Sequence, residues 1–287
     1  MSHIGEFSSL TTGHRTLPRS TVIPRHHPST VEEMKPVGAF VAQVLRTLEA
    51  ASQPGVSLLE LDSLAHTMIN EAGAISCYLD YHPSFGASPF GKVLCTSVND
   101  SALHGLPHAY DLQAGDLLSL DFAVNLNGWV ADSALSLIVG GTDHDSDQRR
   151  LDQHRLDQRL IDTCEQALAA GIAQARVGNR LGDISAAIGA VSKAAGYRVN
   201  TDFGGHGVGR TMHEDPSIPN DDSPGTGPKL KAGMVFAIEP WLMQSTKEIF
   251  TDSDGWTLRS VDGSRSAHVE HTVAITEKGP LVLTKRD

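Results

Sequence analysis

The sequence predicts an α+β fold of two pseudo-symmetric halves, each laying a pair of helices over one face of an antiparallel sheet. Two observations carry this. The order helix, helix, strands occurs once before residue 140 and again after it. The clearest turn signal, Asn127-Gly128, joins two strand-like runs directly, as only antiparallel neighbours allow. No repeat of residues accompanies the duplicated order, so the symmetry is expected in architecture alone.

Residues 1–30 read as an irregular extension. LPRSTVIPRHHPST carries three prolines with no sustained period, and His3, His14, His26 and His27 read as solvated side chains rather than metal ligands. A helical pattern runs from Val31 to Ala51, with Pro36 placed near its first turn. Ser57-Leu58-Leu59-Glu60 is a capping box opening a second helix that ends at Ala72, where Gly73 stops it. Tyr78 to Lys92, rich in Tyr, Pro, Gly and Phe, reads as an irregular loop. The strand LCTSV follows, then the hairpin SLDFAVNLNGWVADSAL from Ser119 to Leu135.

GTDHDSDQRRLDQHRLDQRL repeats Arg-Leu-Asp-Gln at 150–153 and 155–158. Residues 142–158 therefore read as a polar insertion with a solvated charged face. Helices are expected at about 156–175 and 183–195. A Gly-rich loop and two strand-like runs, MVFAIEP and AHVEHTVAIT, complete the second half. Residues 31–287 thus read as one folded domain.

Composition narrows the function. The 287 residues are 40% hydrophobic and 20% charged, ordinary for a globular protein. A net charge of −11 argues against a broad surface for nucleic acid or anionic membrane. Cys77, Cys95 and Cys164 are odd in number and unrelated in spacing, so no disulfide framework is read. No apolar run approaches a membrane span or a signal peptide, and a cytoplasmic location is the expectation.

The hairpin poses a chemical problem. With Asn127 and Gly128 at the turn, Asp132 lies opposite Ala123, and Asp121 is two residues further along the same face. Such diagonal neighbours sit roughly 7–8 Å apart at the backbone. Two carboxylates converging there repel unless a proton or cation lies between them. Glu239, ending MVFAIE, and Glu270, inside AHVEHTVAIT, meet the same objection. His206 sits in GGHGVGRTMHEDP, where glycines let the backbone approach other segments. Taken singly, each has a bland reading as a cap, turn or structural residue. Together, four acids and a histidine could hold two divalent metals, with oxygen-rich ligation suiting Mn, Fe, Co or Zn. Two such metals can share a hydroxide nucleophile and polarise a carbonyl.

From Glu32 to Thr284 the chain resembles the type I methionine aminopeptidases, metallopeptidases of the M24 family with the pita-bread fold. The resemblance rests on two Asp eleven residues apart, a Gly-flanked His, a Glu before Pro and a Glu before His-Thr. Here Asp121 and Asp132 are eleven apart, His206 and Glu239 thirty-three, and Glu239 and Glu270 thirty-one. The resemblance implies that Asp121 chelates one metal, Asp132 and Glu270 bridge both, and His206 and Glu239 bind the other. It implies that His104, in NDSALHGLP, contacts substrate. His213, in TMHEDP, would contact the scissile amide and stabilise the tetrahedral intermediate, with Glu239 as proton shuttle. Asn99 and Ser266 fall where the family holds a monovalent cation, Na or K. The implied reaction is release of the initiator methionine from peptides and nascent proteins by a cytoplasmic monomer, with ribosome contact as a further expectation.

The specificity pocket departs from the family. Cys95 and Trp256 match pocket positions, but YLDYHPSFGASPFGKVL is about seven residues longer than the family's usual loop. Phe90 is placed at one aromatic position, with Tyr81 and Phe85 as alternatives. An aminopeptidase of altered first-residue preference, including Xaa-Pro cleavage, is the nearest rival reading. Against Xaa-Pro cleavage, the short extension cannot supply the extra N-terminal domain of those enzymes. A non-catalytic binding protein that keeps the fold ranks third, because every ligand position is intact.

Overall fold

The computed structural model describes residues 22–83, 86, 88–141 and 147–286. His3, His14, Phe85 and residues 142–146 of the expected insertion lie outside them. Helix α1 (Pro28–Ala51) begins three residues earlier than its hydrophobic pattern indicates. His27 is the N-cap, its Nδ1 accepting from the Ser29 N–H at 3.3 Å, and Pro28 fills the first position, where no N–H is needed. Pro36 therefore lies in the helix interior rather than its first turn. The missing N–H is outweighed by a continuous buried row, Met34, Val37, Val41, Leu45 and Leu48. His26 is half-buried rather than solvated: its ring meets Trp129 edge-on at 5.3 Å.

Helix α2 (Leu58–Ala72) opens on the expected capping box and closes at Gly73, whose φ is 64°. Strands β1 (Ile75–Ser76), β2 (Cys95–Val98), β3 (Ser101–Leu103), β4 (Leu117–Leu126) and β5 (Trp129–Ile138) follow. β4 is central, pairing with β1 and β2 on one edge and β5 on the other. Asn127 and Gly128 take φ values of 56° and 79°, the positive pair that a type I′ turn requires. The register follows from that turn: Ala123 lies opposite Asp132 and Asp121 opposite Ala134.

Helix α3 (Gln148–Gln174) starts eight residues before the expected position. The Arg-Leu-Asp-Gln repeat forms its first turns, with Asp147 as N-cap. Gln148 donates to Asp152 and Gln153 to Asp157, both at 2.8 Å, a one-turn spacing that supports a helix with few apolar residues. Nor is the charged run wholly solvated, since Asp157 is buried and pairs with Arg265. After α4 (Leu181–Ala195) come β6 (Arg198–Val199), β7 (Gly204–Gly207), β8 (Glu214–Pro219), β9 (Val235–Ile238), β10 (Trp241–Met243), β11 (Ile249–Thr251), β12 (Leu258–Ser260), β13 (Ser266–His268), β14 (His271–Thr276) and β15 (Gly279–Val282).

The pairing is antiparallel: β15-β14-β9-β7-β8 form one sheet, β13-β10-β6 a second, and β11-β12-β3 a third that ties the halves together. One core packs α1 and α2 against the hairpin, and a second packs α3 and α4 against β9, β10, β13 and β14. Among the described residues no helix is long and apolar enough to cross a membrane. All three thiols are free, as their spacing indicated.

AHVEHTVAIT is two strands rather than one, and MVFAIEP supplies a single strand, β9, that stops before Glu239. The β9·β14 ladder ends at Ile238 opposite His271, and the β10·β13 ladder begins at Trp241 opposite His268. Pro240 has no N–H to continue the ladder. Glu239 and Glu270 both fall in the break. There the Glu270 N–H crosses to Ala134 O in β5 at 3.0 Å, and Ser133 Oγ donates to Glu270 O at 2.6 Å. Thr272 Oγ1 completes the lacing, accepting from Asp132 N at 2.9 Å and donating to Asp132 O at 2.8 Å. Replacing Thr272 by Val leaves both backbone groups short of a buried partner. Urea unfolding of the metal-free protein should show a loss of about 1–3 kcal/mol, with Thr272→Ser much nearer the parent.

Candidate metal centre and substrate pocket

The cleft between the hairpin and the strand break, about 490 Å³ in volume, is lined by all ten ligand and pocket candidates from Phe90 to Glu270. Four acids reach it from two directions. Asp121 and Asp132 come up from facing strands, and Glu239 and Glu270 from the two sides of the break. His206 is brought in by β7, squeezed between β8 and β9. A Cβ on Gly205 would collide with the Ala237 carbonyl, and one on Gly207 with that of Asp215. These glycines thus serve close strand approach rather than a left-handed backbone.

One ligand atom each from Asp132, His206 and Glu270 lies within 4.8 Å of the others. His206 Nε2 is 3.9 Å from Asp132 Oδ2 and 3.4 Å from Glu239 Oε1. Its Nδ1 is 3.0 Å from Gly207 O, an atom that can only accept. In the neutral ring Nδ1 therefore carries the proton, and the Nε2 lone pair faces the acids. On Glu239's other side His268 Nε2 stands 3.6 Å from Oε2. Between the hairpin acids, Tyr78 Oη donates to Asp121 Oδ1 at 2.7 Å and lies 3.3 Å from Asp132 Oδ1.

Electrostatics separate the acids. Burial, then repulsion from neighbouring carboxylates, pushes Asp132 and Glu270 well above the usual carboxylate range. Burial opposes ionisation of Glu239 too, but the neighbouring imidazoles of His268, His206 and His213 outweigh it and hold that carboxyl below its ordinary value. Glu270 Oε1 is buried with no hydrogen-bond partner. A crowd of carboxylate oxygens with one imidazole nitrogen, one oxygen left unsatisfied, is a donor set that a divalent cation fits.

The pocket beside this cluster is apolar. Phe90 N donates to Tyr81 O and Gly91 N to Leu79 O, each at 3.0 Å, closing a neck at the base of the long loop. Tyr81 and Phe90 are thereby set side by side against Trp256, at centroid distances of 6.2 and 5.1 Å. Gly86, between the two sides of the neck in sequence, presses on Trp256: a Cβ there would come within 2.8 Å of the indole. Cys95 is buried opposite Asp121 in the β2·β4 register. His104, at a φ of 54°, sets its ring edge-on to Phe203 at 5.4 Å, and burial lowers its pKa. His213 lies 4.4 Å from the His206 ring and 5.4 Å from that of Tyr81. Burial and its neighbour His206 push it down to about 4.

Asn99 and Ser266 are joined outside the cleft by a 3.0 Å bond from Ser266 N to Asn99 O. Their side chains are engaged elsewhere, Asn99 with Asp116 and Leu117, Ser266 with Leu242 O. Sequence reasoning missed Tyr78, His268 and Met212, which also lines the cleft. His268 had a signal, lying two residues before Glu270; Tyr78 and Met212 had none.

The chain matches the model of metallopeptidase family M24 over residues 32–277. It belongs to that family. It is 42% identical over 270 residues to Methionine aminopeptidase 1 of Mycobacterium tuberculosis, covering 92% of this chain and 95% of that one. The structure of methionine aminopeptidase from Thermotoga maritima superposes with a TM-score of 0.83 at 35% identity, covering 92% of this chain and all of that one, 100%. Prolidase from Pyrococcus furiosus shares the pita-bread fold at a TM-score of 0.67, but at 20% identity and with only 66% of its length covered. Divalent-metal binding comes with M24 membership.

Two outcomes follow from the charges of this M24 site. Asp132→Asn relieves carboxylate repulsion while keeping an acceptor for Tyr78. The metal-free variant should melt about 2–4 °C above the parent by calorimetry, whereas added Mn²⁺ should stabilise the parent and not the variant. Because its pKa is depressed, His213 stays neutral from alkaline pH down to about 4. Long-range ¹H–¹⁵N spectra of the metal-free protein should show a neutral His213 ring at pH 6; an imidazolium there would contradict this site.

Proposed function

We propose that this M24 metallopeptidase releases methionine from the N-termini of peptides and nascent proteins, using a pair of divalent metals. The supporting observation is the opening of an apolar pocket, walled by Tyr81, Phe90, Cys95 and Trp256, directly onto the buried cluster of Asp132, His206 and Glu270. On this reading Asp121, Asp132, His206, Glu239 and Glu270 hold the metals, Mn, Fe, Co or Zn. When bound, the metals supply a water-derived nucleophile at neutral pH and polarise the scissile carbonyl.

The chain's own residues do the rest. The pocket takes the first side chain and excludes water from it. Glu239, kept ionised by the imidazoles around it, accepts the proton shed during attack and returns it to the leaving amine. His213, neutral and edge-on to His206, donates an N–H to the oxygen that gains charge, and His104 orients the backbone of the substrate. Asn99 and Ser266 stand at a monovalent-cation position, where backbone carbonyls would supply the contacts because both side chains are occupied. The reading treats the chain as a cytoplasmic monomer that meets nascent N-termini near the ribosome. The catalytic domain starts with α1, and residues 148–158 belong to it as the first turns of α3.

The loop tip pressed on Trp256 favours one variant of this reading, an aminopeptidase preferring another first residue. Protein loaded with Mn²⁺ or Co²⁺ is assayed on X-Ala-Ser tripeptides with X varied, and on Met-Pro-Ser. Met should be released fastest, by at least about tenfold over Leu, a margin an apolar pocket can supply. Preference for another residue would keep the chemistry and displace methionine. Absence of any hydrolysis with metal bound would leave a binding protein.

A further inference from the structure

We propose that Tyr78 is a positioning residue of the metal centre, its hydroxyl setting the orientation of both hairpin aspartates before a metal arrives. The inference deepens the metallopeptidase reading and rests on it. Tyr78 belongs to neither the hairpin nor the strand break but to the start of the long loop, and its side chain is 7% exposed. Its place is well supported. The Tyr78 N–H donates to Ser76 Oγ at 3.1 Å, its carbonyl accepts from Tyr81 N at 2.9 Å, and its ring packs edge-on against Phe90 at 5.8 Å. The ring is thereby held with the hydroxyl pointing between two carboxylates that come from facing strands.

The chemistry of that placement is specific. A phenol has one proton to give, and the shorter contact, 2.7 Å, assigns it to Asp121 Oδ1; Asp132 Oδ1, at 3.3 Å, is the weaker neighbour. Two like-charged side chains on one hairpin face would otherwise turn away from each other. A neutral donor between them holds Asp121 inward without adding charge and keeps Asp132 Oδ1 within 3.3 Å of the same hydroxyl, so both aspartates are oriented about one point. The other acids have their own supports. Glu239 faces His268 at 3.6 Å, and Glu270 is fixed through its backbone to Ala134 and Ser133. Tyr78 also makes the long loop part of the metal site, because the neck that sets Tyr81 and Phe90 against Trp256 starts at the next residue, Leu79.

The test is Co²⁺ binding to the metal-free full-length protein by calorimetry, together with the d–d absorption spectrum of the Co²⁺-loaded form. Tyr78→Phe keeps the ring and removes only the hydroxyl; Co²⁺ affinity should fall about 10–100-fold, with a changed d–d spectrum. Tyr110→Phe is the control. It removes a comparable Tyr-to-carboxylate bond, 2.8 Å to Asp116, outside the cleft, and should leave both readouts as in the parent. Identical isotherms and spectra for Tyr78→Phe and parent would overturn the role of Tyr78 while leaving the metal centre intact, as would equal losses in the two variants. A parent protein that binds no Co²⁺ would overturn the metallopeptidase reading itself, and with it this inference.

Discussion

Mutual repulsion among four carboxylates in one closed cleft is the constraint around which this molecule is arranged. Burying a single unpaired carboxylate is costly, and burying several together compounds the cost unless protons or cations intervene. The chain meets this with neutral donors and imidazoles, Tyr78 on the hairpin pair and His206 and His268 on Glu239. It leaves demands unmet, since Glu270 Oε1 has no hydrogen-bond partner. A fold that tolerates such a residue stores an affinity for positive charge, so stability of the metal-free chain and affinity for metal oppose each other here.

The cleft exists because the two halves are laced together where regular structure fails. Glu239 and Glu270 fall where Pro240 ends one ladder and a second sheet begins. A continuous strand would have pointed alternate side chains to opposite faces and spent its backbone groups on its own ladder. The interruption instead frees the Glu270 N–H for Ala134 and lets Thr272 and Ser133 bind across to the hairpin. The same bonds that join the halves bring the acids of each to a common point.

Specificity is built separately from the metal chemistry. The long loop is pinched at its base by two backbone bonds. Tyr81 and Phe90 each keep their contact with Trp256, and Gly86 lies close against the indole. Loop length can therefore change without moving the acids, which lie on the hairpin and at the strand break, while Tyr78 beside the pinch belongs to both.

The primary sequence by itself determined what depends on a few neighbouring residues. The Asn127-Gly128 turn set the hairpin register, and with it the shared face of Asp121 and Asp132. Ser57 to Glu60 and Gly73 bounded α2. The spacing of five ligand candidates suggested a common site. Where the local pattern is mixed, it misleads: α3 begins before its apolar stripe because its first turns hold together by Gln-to-Asp bonds, and Pro36 lies inside α1 because a histidine cap moves the helix start to Pro28. Only the tertiary structure decided that Glu239 and Glu270 sit in a break between sheets, that His268 faces Glu239, and that Tyr78 reaches aspartates 43 and 54 residues away. Turn and capping rules act through backbone conformation within a few residues, whereas those contacts depend on how two separately formed halves close on each other, which no local spacing encodes.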